Sequence, residues 1–351
     1  MLPYLIFIIF ILFGLFFLNK KYKFIAYFIF GTSIILLYSL RDYSVGTDTL
    51  AYIDIFQSSV NFDLYNTKIE PLFIIFNYIL YHISNSIIFY FLVISLVFVW
   101  IWIKNIDRLV FFHKDVAWLV LVTSLAFLSL FNITRQSLAM AMSILAFSFL
   151  VRGNNFWFLI LSILSIFSHY SAVIIFLVFL FLKKNNNPIL YLITSFILTS
   201  IFSLGALDYI SGMSTRYSEY SETSSDGVTG IMLIALVSLK LILFYLLYFI
   251  YFRKDLMYRI FLSLFSVGFS LLVVLKLFGF RDEGPLRIVT YFLIFDIFLF
   301  PYFFYIINNV ILRIIFKIIF YIFMIFLFSY GIYSGAGGLY PYIFNEVFIL
   351  L

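Results

Sequence analysis

Cysteine is absent from all 351 residues, which excludes disulfides and thiolate-held metal ions. Charge is almost as scarce. Asp, Glu, Lys and Arg make up 11% of the chain, against roughly 25% in soluble domains. Histidine occurs at His82, His113 and His169 only, with no HExxH spacing, so no histidine metal site and no cofactor is expected. Six prolines and 15 glycines interrupt long apolar runs. What fills the chain is 65% hydrophobic and 23% aromatic, with a mean hydropathy of +1.15. A soluble fold of this length cannot hide that much apolar surface, whereas a bilayer accepts it. The net charge of +6 therefore reads as helix-end anchoring on one side of a membrane, not as a nucleic-acid footprint. The opening MLPYLIFIIFILFGLFFL carries no basic leader and no small-residue cleavage site, and reads as a retained first helix.

A membrane crossing takes about 20 apolar residues. The spans expected on that basis are 1–18, 24–40, 87–103, 115–131, 137–151, 188–206, 230–252, 257–279, 286–307 and 312–334. Segments 71–83 and 156–182 do not fit the template. The expected fold is therefore all-α, one polytopic membrane domain over 1–351 with about 11–13 membrane segments, some of them short or hairpin-like. Lysine and arginine then set orientation. The short segments bearing Lys20, Lys21, Lys23, Lys104, Arg108, Lys114, Arg152, Lys183, Lys184, Arg253, Lys254, Arg259, Arg313 and Lys317 are placed inside; these are 14 of the 22 basic residues. Lys240, Lys276 and Asp296 fall within spans and need partners. Outside remain Arg41, Lys68, Arg135, Arg216, Arg281 and Arg287, mostly arginine, whose planar fork suits phosphate oxygens better than an ammonium does. The alternation makes 71–83 a short dipping or surface helix. It makes 156–182 either a short two-legged hairpin with His169 at its outward apex or, as the rival, one tilted helix.

Several groups at the outer boundary carry chemistry. Arg41-Asp-Tyr-Ser-Val-Gly46-Thr-Asp48-Thr-Leu-Ala-Tyr52 leaves one helix, turns at Gly46 and restarts, with Thr47 or Asp48 as N-cap and Tyr52 one turn on; an ordinary capped loop is the plainer reading. Glu70-Pro71 opens the short helix. Asn132-Ile-Thr-Arg135-Gln136-Ser137 begins a helix whose Ala139, Ser143 and Ala146 form a stripe for close packing, so Arg135 faces protein. His169 alone would pass for a hydrogen-bonded core histidine; the chain reversal beside it argues for more. Loop 207–229 carries Arg216-Tyr217-Ser-Glu-Tyr220 and a Ser/Glu/Thr-rich stretch that reads as a mobile lid. Arg281-Asp-Glu-Gly-Pro-Leu-Arg287 separates two spans. The tail 335–351, with Gly335-Ala-Gly-Gly-Leu-Tyr340-Pro-Tyr342, reads as flexible and aromatic. Loops 41–70 and 207–229 and this tail are the segments expected to build the site.

Taken in order, Arg41…Gly46-Thr-Asp48…Tyr52, Glu70-Pro, Arg135-Gln with its Ala/Met helix, Phe167-Ser-His169-Tyr-Ser-Ala, Arg216-Tyr-Ser-Glu-Tyr220 and Arg287-Ile…Tyr291 resemble the EpsG/Wzy-type polysaccharide polymerase family over residues 35 to 345. The resemblance implies a bacterial inner-membrane glycosyltransferase of GT-C-like architecture. It would join undecaprenyl-diphosphate-linked oligosaccharides on the periplasmic face, without a metal. The implied partners are the lipid-linked oligosaccharide, membrane lipids and a chain-length regulator protein, with no nucleic acid. The product class, whether O-antigen, capsule or exopolysaccharide, stays open.

Such a reaction needs cations to meet charge developing on a leaving diphosphate and an acceptor for a sugar hydroxyl proton. Asp48, Glu70 and His169 are the external proton acceptors, His169 or Glu70 preferred. Arg41, Arg135, Arg216, Arg281 and Arg287 are expected to bind diphosphate or sugar acids, with Tyr52, Gln136, Tyr217 and Tyr220 beside them. A lipid-linked oligosaccharide flippase, a polysaccharide ligase and a sugar acyltransferase remain the alternatives. A flippase should carry its cations along a path between leaflets, whereas these cluster at one face.

Overall fold

The computed structural model describes residues 1–18, 21–62, 69–182, 186–212, 227–278 and 284–345. It is helical, and among the described residues the β feature is an isolated antiparallel bridge between Arg41 and Phe344. The helices are α1 (Leu2–Phe16), α2 (Lys23–Ser39), α3 (Thr49–Ser58), α4 (Pro71–Ile83), α5 (Ile87–Leu109), α6 (Lys114–Thr123), α7 (Leu125–Asn132), α8 (Thr134–Val151), α9 (Asn155–Ser168), α10 (Ala172–Leu182), α11 (Pro188–Gly212), α12 (Gly227–Leu247), α13 (Leu256–Leu277), α14 (Thr290–Leu293), α15 (Asp296–Tyr305) and α16 (Val310–Tyr333). Among the described residues six stretches are long and apolar enough to cross a membrane: Ile87–Leu109, Thr134–Val151, Ile231–Phe252, Leu256–Leu277, Leu286–Tyr305 and Val310–Tyr333. Shorter apolar helices accompany them, and the chain is a multi-pass membrane protein.

Local chemistry sets the helix ends. Ser86, Asn154, Asp255 and Asn309 each accept a hydrogen bond from a backbone N–H in the first turn of α5, α9, α13 and α16, satisfying donors that the helix itself cannot. Pro71 and Pro188 open α4 and α11, where the missing N–H costs nothing. Two expected continuous spans are broken. The span 115–131 leaves helical geometry at Ser124 (ψ 170°), where the Thr123 and Ser124 hydroxyls bond back to Leu119 and Leu121 carbonyls and compete with the helix ladder. The span 286–307 runs as a 3₁₀ segment over Gly284–Val289, then α14, then, after a turn at Ile294–Phe295 where bonds to the third residue back appear, α15, which continues through Pro301.

The helices pack into two compact units, Met1–Val173 with Ile307–Leu351, and Ile174–Ile306. The chain breaks at His169 as expected, with an extended φ/ψ of −161°/117°; α9 closes the first unit, and α10 belongs to the second from Ile174 onward.

In the first unit α8 is central, 78% of its span being buried, and α16 peripheral at 6%. An apolar helix exposed to that degree needs hydrocarbon around it. The small-residue stripe of α8 does what its spacing predicts: Ser165 donates to the Ala139 carbonyl at 2.7 Å and Ser143 donates to Ser165 at 2.7 Å, locking α8 to α9. The unit has two polar ends. At one, Asp107 accepts from Lys114 and Tyr27 and pairs with Lys23, while Asp115 pairs with Lys317 and accepts from Tyr321. A cavity of about 610 Å³ opens there, bounded by Leu15, Phe16, Lys23, Phe111 and His113. At the other end the tail folds back. Tyr4 donates to the Leu339 carbonyl at 2.6 Å, and Tyr342 to the Leu37 carbonyl at 2.8 Å. Segments assigned to one side by charge thus meet one another.

In the second unit Ser195 of α11 donates to Ser270 of α13 at 2.7 Å. Lys240 of α12 finds the partner it needs in Asp296 of α15, at 2.6 Å.

Candidate functional site

Proline's steric demand starts the site. The residue before a proline is pushed to extended backbone, and Glu70 lies at φ −70°, ψ 142°. Its carbonyl accepts from Phe73 and Ile74 at 3.0 and 3.1 Å, but its carboxylate does not cap α4. The side chain turns instead to two partners far along the chain. Arg135 Nη1 donates to Oε2 at 2.5 Å, and His169 Nδ1 stands 2.6 Å from Oε1. Arg135 belongs to the first turn of α8 and His169 is the C-cap of α9, so the serine lock between those helices also sets the register of guanidinium against imidazole. Glu70 is buried, and Arg135 and His169 keep 23% and 27% of their side chains exposed. The arginine and the histidine are thus partly open at the surface, and the carboxylate is not.

Around this core, Arg135 also bonds the buried Tyr52 hydroxyl and lies over the Phe73 ring at 5.8 Å. Burial pushes the Tyr52 phenol up, more than Arg135 lowers it, so it stays a neutral donor. Burial also acts to raise Glu70, but the hydrogen bond with His169 and the Arg135 charge outweigh it and hold the carboxyl below its ordinary value. The Glu70 carboxylate can only accept, so Nδ1 carries the hydrogen of this contact and Nε2 is the ring nitrogen left to face other partners.

The expected residues divide. Glu70, Arg135, His169 and Tyr52 come together. Asp48 stands one turn before Tyr52 at the start of α3, accepting from Thr47 at 3.0 Å without capping the helix. Gln136 is buried, rotated about 100° around α8 from Arg135. Arg41 departs most from expectation: it is 0% exposed, stacked by Tyr38, Phe91 and Phe131 at 4.0, 4.4 and 4.9 Å, and not on an open outer rim. Helix ends wrapped by aromatic neighbours bury it. Arg287 lies in the 3₁₀ segment of the second unit. Arg216, Tyr217, Tyr220 and Arg281 lie outside the described residues, as does the Ser/Glu/Thr-rich stretch.

The tail is not flexible over 335–345. The Gly46 N–H donates to the Gly338 carbonyl at 2.9 Å, and Asn132 bridges the Thr47 N–H and the Gly337 carbonyl at 2.9 and 2.8 Å. Gly46 sits at φ 99°, and a Cβ there would meet the Asn132 side chain at 2.8 Å, so only glycine serves this joint. Three participants carry no chemical motif and were not expected: Phe73, Tyr38, which donates to Thr134 at 3.0 Å, and Tyr90, whose buried hydroxyl has no hydrogen-bond partner. One tyrosine in an aromatic-rich span gives no signal of its own. Among the described residues no three His, Asp or Glu side chains group as metal ligands.

Neither curated proteins nor solved structures provide a match. The family model described as EpsG matches residues 24–344, a stretch that contains Arg41, Tyr52, Glu70, Arg135 and His169 and both units. The chain belongs to the EpsG family, polysaccharide polymerase-type membrane proteins.

Proposed function

We propose that the protein is a glycosyltransferase that polymerises oligosaccharide repeat units carried on undecaprenyl diphosphate, at the periplasmic face of the bacterial inner membrane and without a metal ion. The observation that carries this reading is the single carboxylate of Glu70 shared between Arg135 and His169. Both Glu70 oxygens are occupied, which makes it the orienting group and His169 the base. His169 Nε2 takes the proton of an acceptor sugar hydroxyl as that oxygen attacks the anomeric carbon of the donor unit. The bond from that carbon to the lipid diphosphate breaks, and its electron pair leaves on the diphosphate oxygen. Glu70 steadies the imidazolium that forms, as carboxylates do in histidine dyads. Arg135 and the neutral Tyr52 hydroxyl offer donors beside the reacting atoms, worth more in a shielded site than in water. Asp48, the N-cap residue of α3, is assigned to sugar hydroxyls.

The reading is tested by chromosomal deletion, complemented with His169→Ala at equal membrane level, and gel analysis of surface polysaccharide. General-base loss removes about 10²–10⁴ of rate, so both strains should carry single repeat units on lipid and no ladder. A normal ladder with H169A would overturn the assignment. A carrier that moves the lipid-linked unit between leaflets is the second reading, favoured by the charged pair Lys240–Asp296 within two spans; loss of all external units on deletion would select it.

A further inference from the structure

Several cations of the first unit meet a carboxylate: Lys23 and Lys114 pair with Asp107, Lys317 with Asp115, and Arg135 with Glu70. Arg41 is different. Its guanidinium is wholly buried, and Nε, Nη1 and Nη2 all lack a hydrogen-bond partner. The adjacent carboxylate, Asp42, is turned to its own loop, where it accepts from the Ser44 N–H at 3.0 Å and hydroxyl at 2.7 Å. Three ring faces hold the guanidinium by cation–π attraction, but rings accept no hydrogen bond along the five N–H directions of the fork. Tyr90 has both Arg41 and Arg135 among its charged neighbours, stacks on Phe56 at 4.4 Å, and holds a buried hydroxyl also without a partner. Two sets of unsatisfied donors are therefore buried in the same unit, with the Tyr90 hydroxyl within electrostatic range of both Arg41 and Arg135. A buried cation with donors to spare calls for an anion.

What covers it is the tail. Arg41 and Phe344 face each other across the antiparallel bridge. The Asp42 N–H donates to the Ile343 carbonyl and the Asn345 N–H to the Leu40 carbonyl, both at 2.9 Å. Tyr342 and Tyr4 are also charged-group neighbours of Arg41, with their rings edge-on at 5.4 Å. This strap is held by the two main-chain bonds of that rung and by the Tyr4–Leu339 and Tyr342–Leu37 bonds; none belongs to a helix ladder, so lifting the strap breaks these bonds without unfolding a helix.

We propose that Arg41 and Tyr90 form the diphosphate-binding locus of this site, opened by withdrawal of the strap 339–345, while Arg135, already matched by Glu70, serves the sugar side. The proposal rests on the polymerase reading for the identity of the anion, an isoprenyl-linked diphosphate. The bidentate fork of Arg41 would take two oxygens of one phosphate, and the Tyr90 hydroxyl a third acceptor atom. The strap then keeps water and stray anions out until substrate is present.

The test is binding, not turnover. Full-length protein in detergent is titrated with farnesyl diphosphate, with inorganic pyrophosphate and with phosphatidylglycerol in parallel arms, read as the shift in melting temperature, which rises with ligand bound to the folded state. Farnesyl diphosphate should stabilise the wild type, pyrophosphate more weakly, and phosphatidylglycerol not at all. Arg41→Lys should weaken the diphosphate arm at least tenfold and Tyr90→Phe by less, while H169A retains it. Because the chain has no cysteine, the strap can be pinned by Leu40→Cys with Asn345→Cys; residues opposed at such a rung stand about 5.5 Å apart between Cα atoms, within disulfide range. Oxidation should abolish diphosphate binding and reductant restore it, which keeps the proposal testable even where R41K fails to fold. Equal binding by wild type and R41K, or undiminished binding by the oxidised pair, overturns the Arg41 locus and leaves the His169 assignment standing. Stabilisation by phosphatidylglycerol alone would make this a lipid headgroup site and equally overturn it. A normal ladder with H169A would instead remove the polymerase reading and leave any measured Arg41 binding in place.

Discussion

Glu70 joins three distant segments, and its protonation is the residue-scale quantity to measure. Its carboxyl is held below the ordinary glutamate value of 4.5 by the His169 hydrogen bond and the Arg135 charge acting against burial. A group depressed in this way contributes stability that is complete above its unfolded value and is lost as pH falls through its folded one. Melting temperatures of wild type and Glu70→Gln should therefore differ most at neutral pH, by the equivalent of about 3 kcal/mol for breaking a buried pair, and converge on acidification below pH 4.5. A gap independent of pH would show that the carboxylate is not the source. The residue types of this group are legible in sequence, because Glu-Pro, Thr-Arg-Gln and Ser-His-Tyr stand out against apolar surroundings. That one carboxylate serves both partners is not legible. Separations of 65 and 99 residues are closed by helix packing, which local pattern does not encode. Arg41 misleads for the same reason: position along the chain places it at a membrane boundary, but only packing shows it enclosed.

Helices here approach closely where the residues are small, and that is testable element by element. A Cβ on Gly268 of α13 would lie 2.8 Å from Phe292 Cβ and 2.9 Å from the Leu293 backbone nitrogen, whereas one on Gly331 of α16 would meet nothing within 4 Å. Gly268→Ala should destabilise by about 1–3 kcal/mol through overpacking, and Gly331→Ala should be neutral or gain up to ~1 kcal/mol from helix propensity. Thermal melts of the two in the same detergent check it; equal melting temperatures would refute the close approach of α13 to the α14 segment. Periodicity and length find most helices, and the α8 stripe even predicts its own packing through Ser143 and Ser165. They fail at Ser124, where apolar content runs on unbroken while hydroxyl back-bonding competes with the ladder, and at Ile294–Phe295, where bonds to the third residue back interrupt it. Hydropathy does not register backbone hydrogen bonding, so such breaks are invisible to it.

On the scale of the molecule, charge sorting assigns segments to sides, and the first unit gathers them accordingly, lysines and their aspartates at one end, Arg41, Glu70, Arg135 and His169 toward the other. Single cysteines in the cysteine-free chain should report it: Tyr43→Cys should react with an impermeant maleimide in intact spheroplasts, and Phe111→Cys only after permeabilisation. Reversed labelling would invert the proposed topology and remove the site from the periplasm. The division into two units is not legible, because its boundaries at Val173–Ile174 and Ile306–Ile307 fall in apolar sequence with no linker composition. One pair in the second unit carries a consequence for biogenesis. Lys240 and Asp296 are 56 residues apart, so a ribosome delivers α12 to the bilayer well before α15 exists. During that interval the ammonium has no carboxylate, and a lone lysine at mid-helix disfavours insertion by about 2.5–3.5 kcal/mol. The apolar length of Ile231–Phe252 is then what holds the nascent helix in place until its counter-charge arrives.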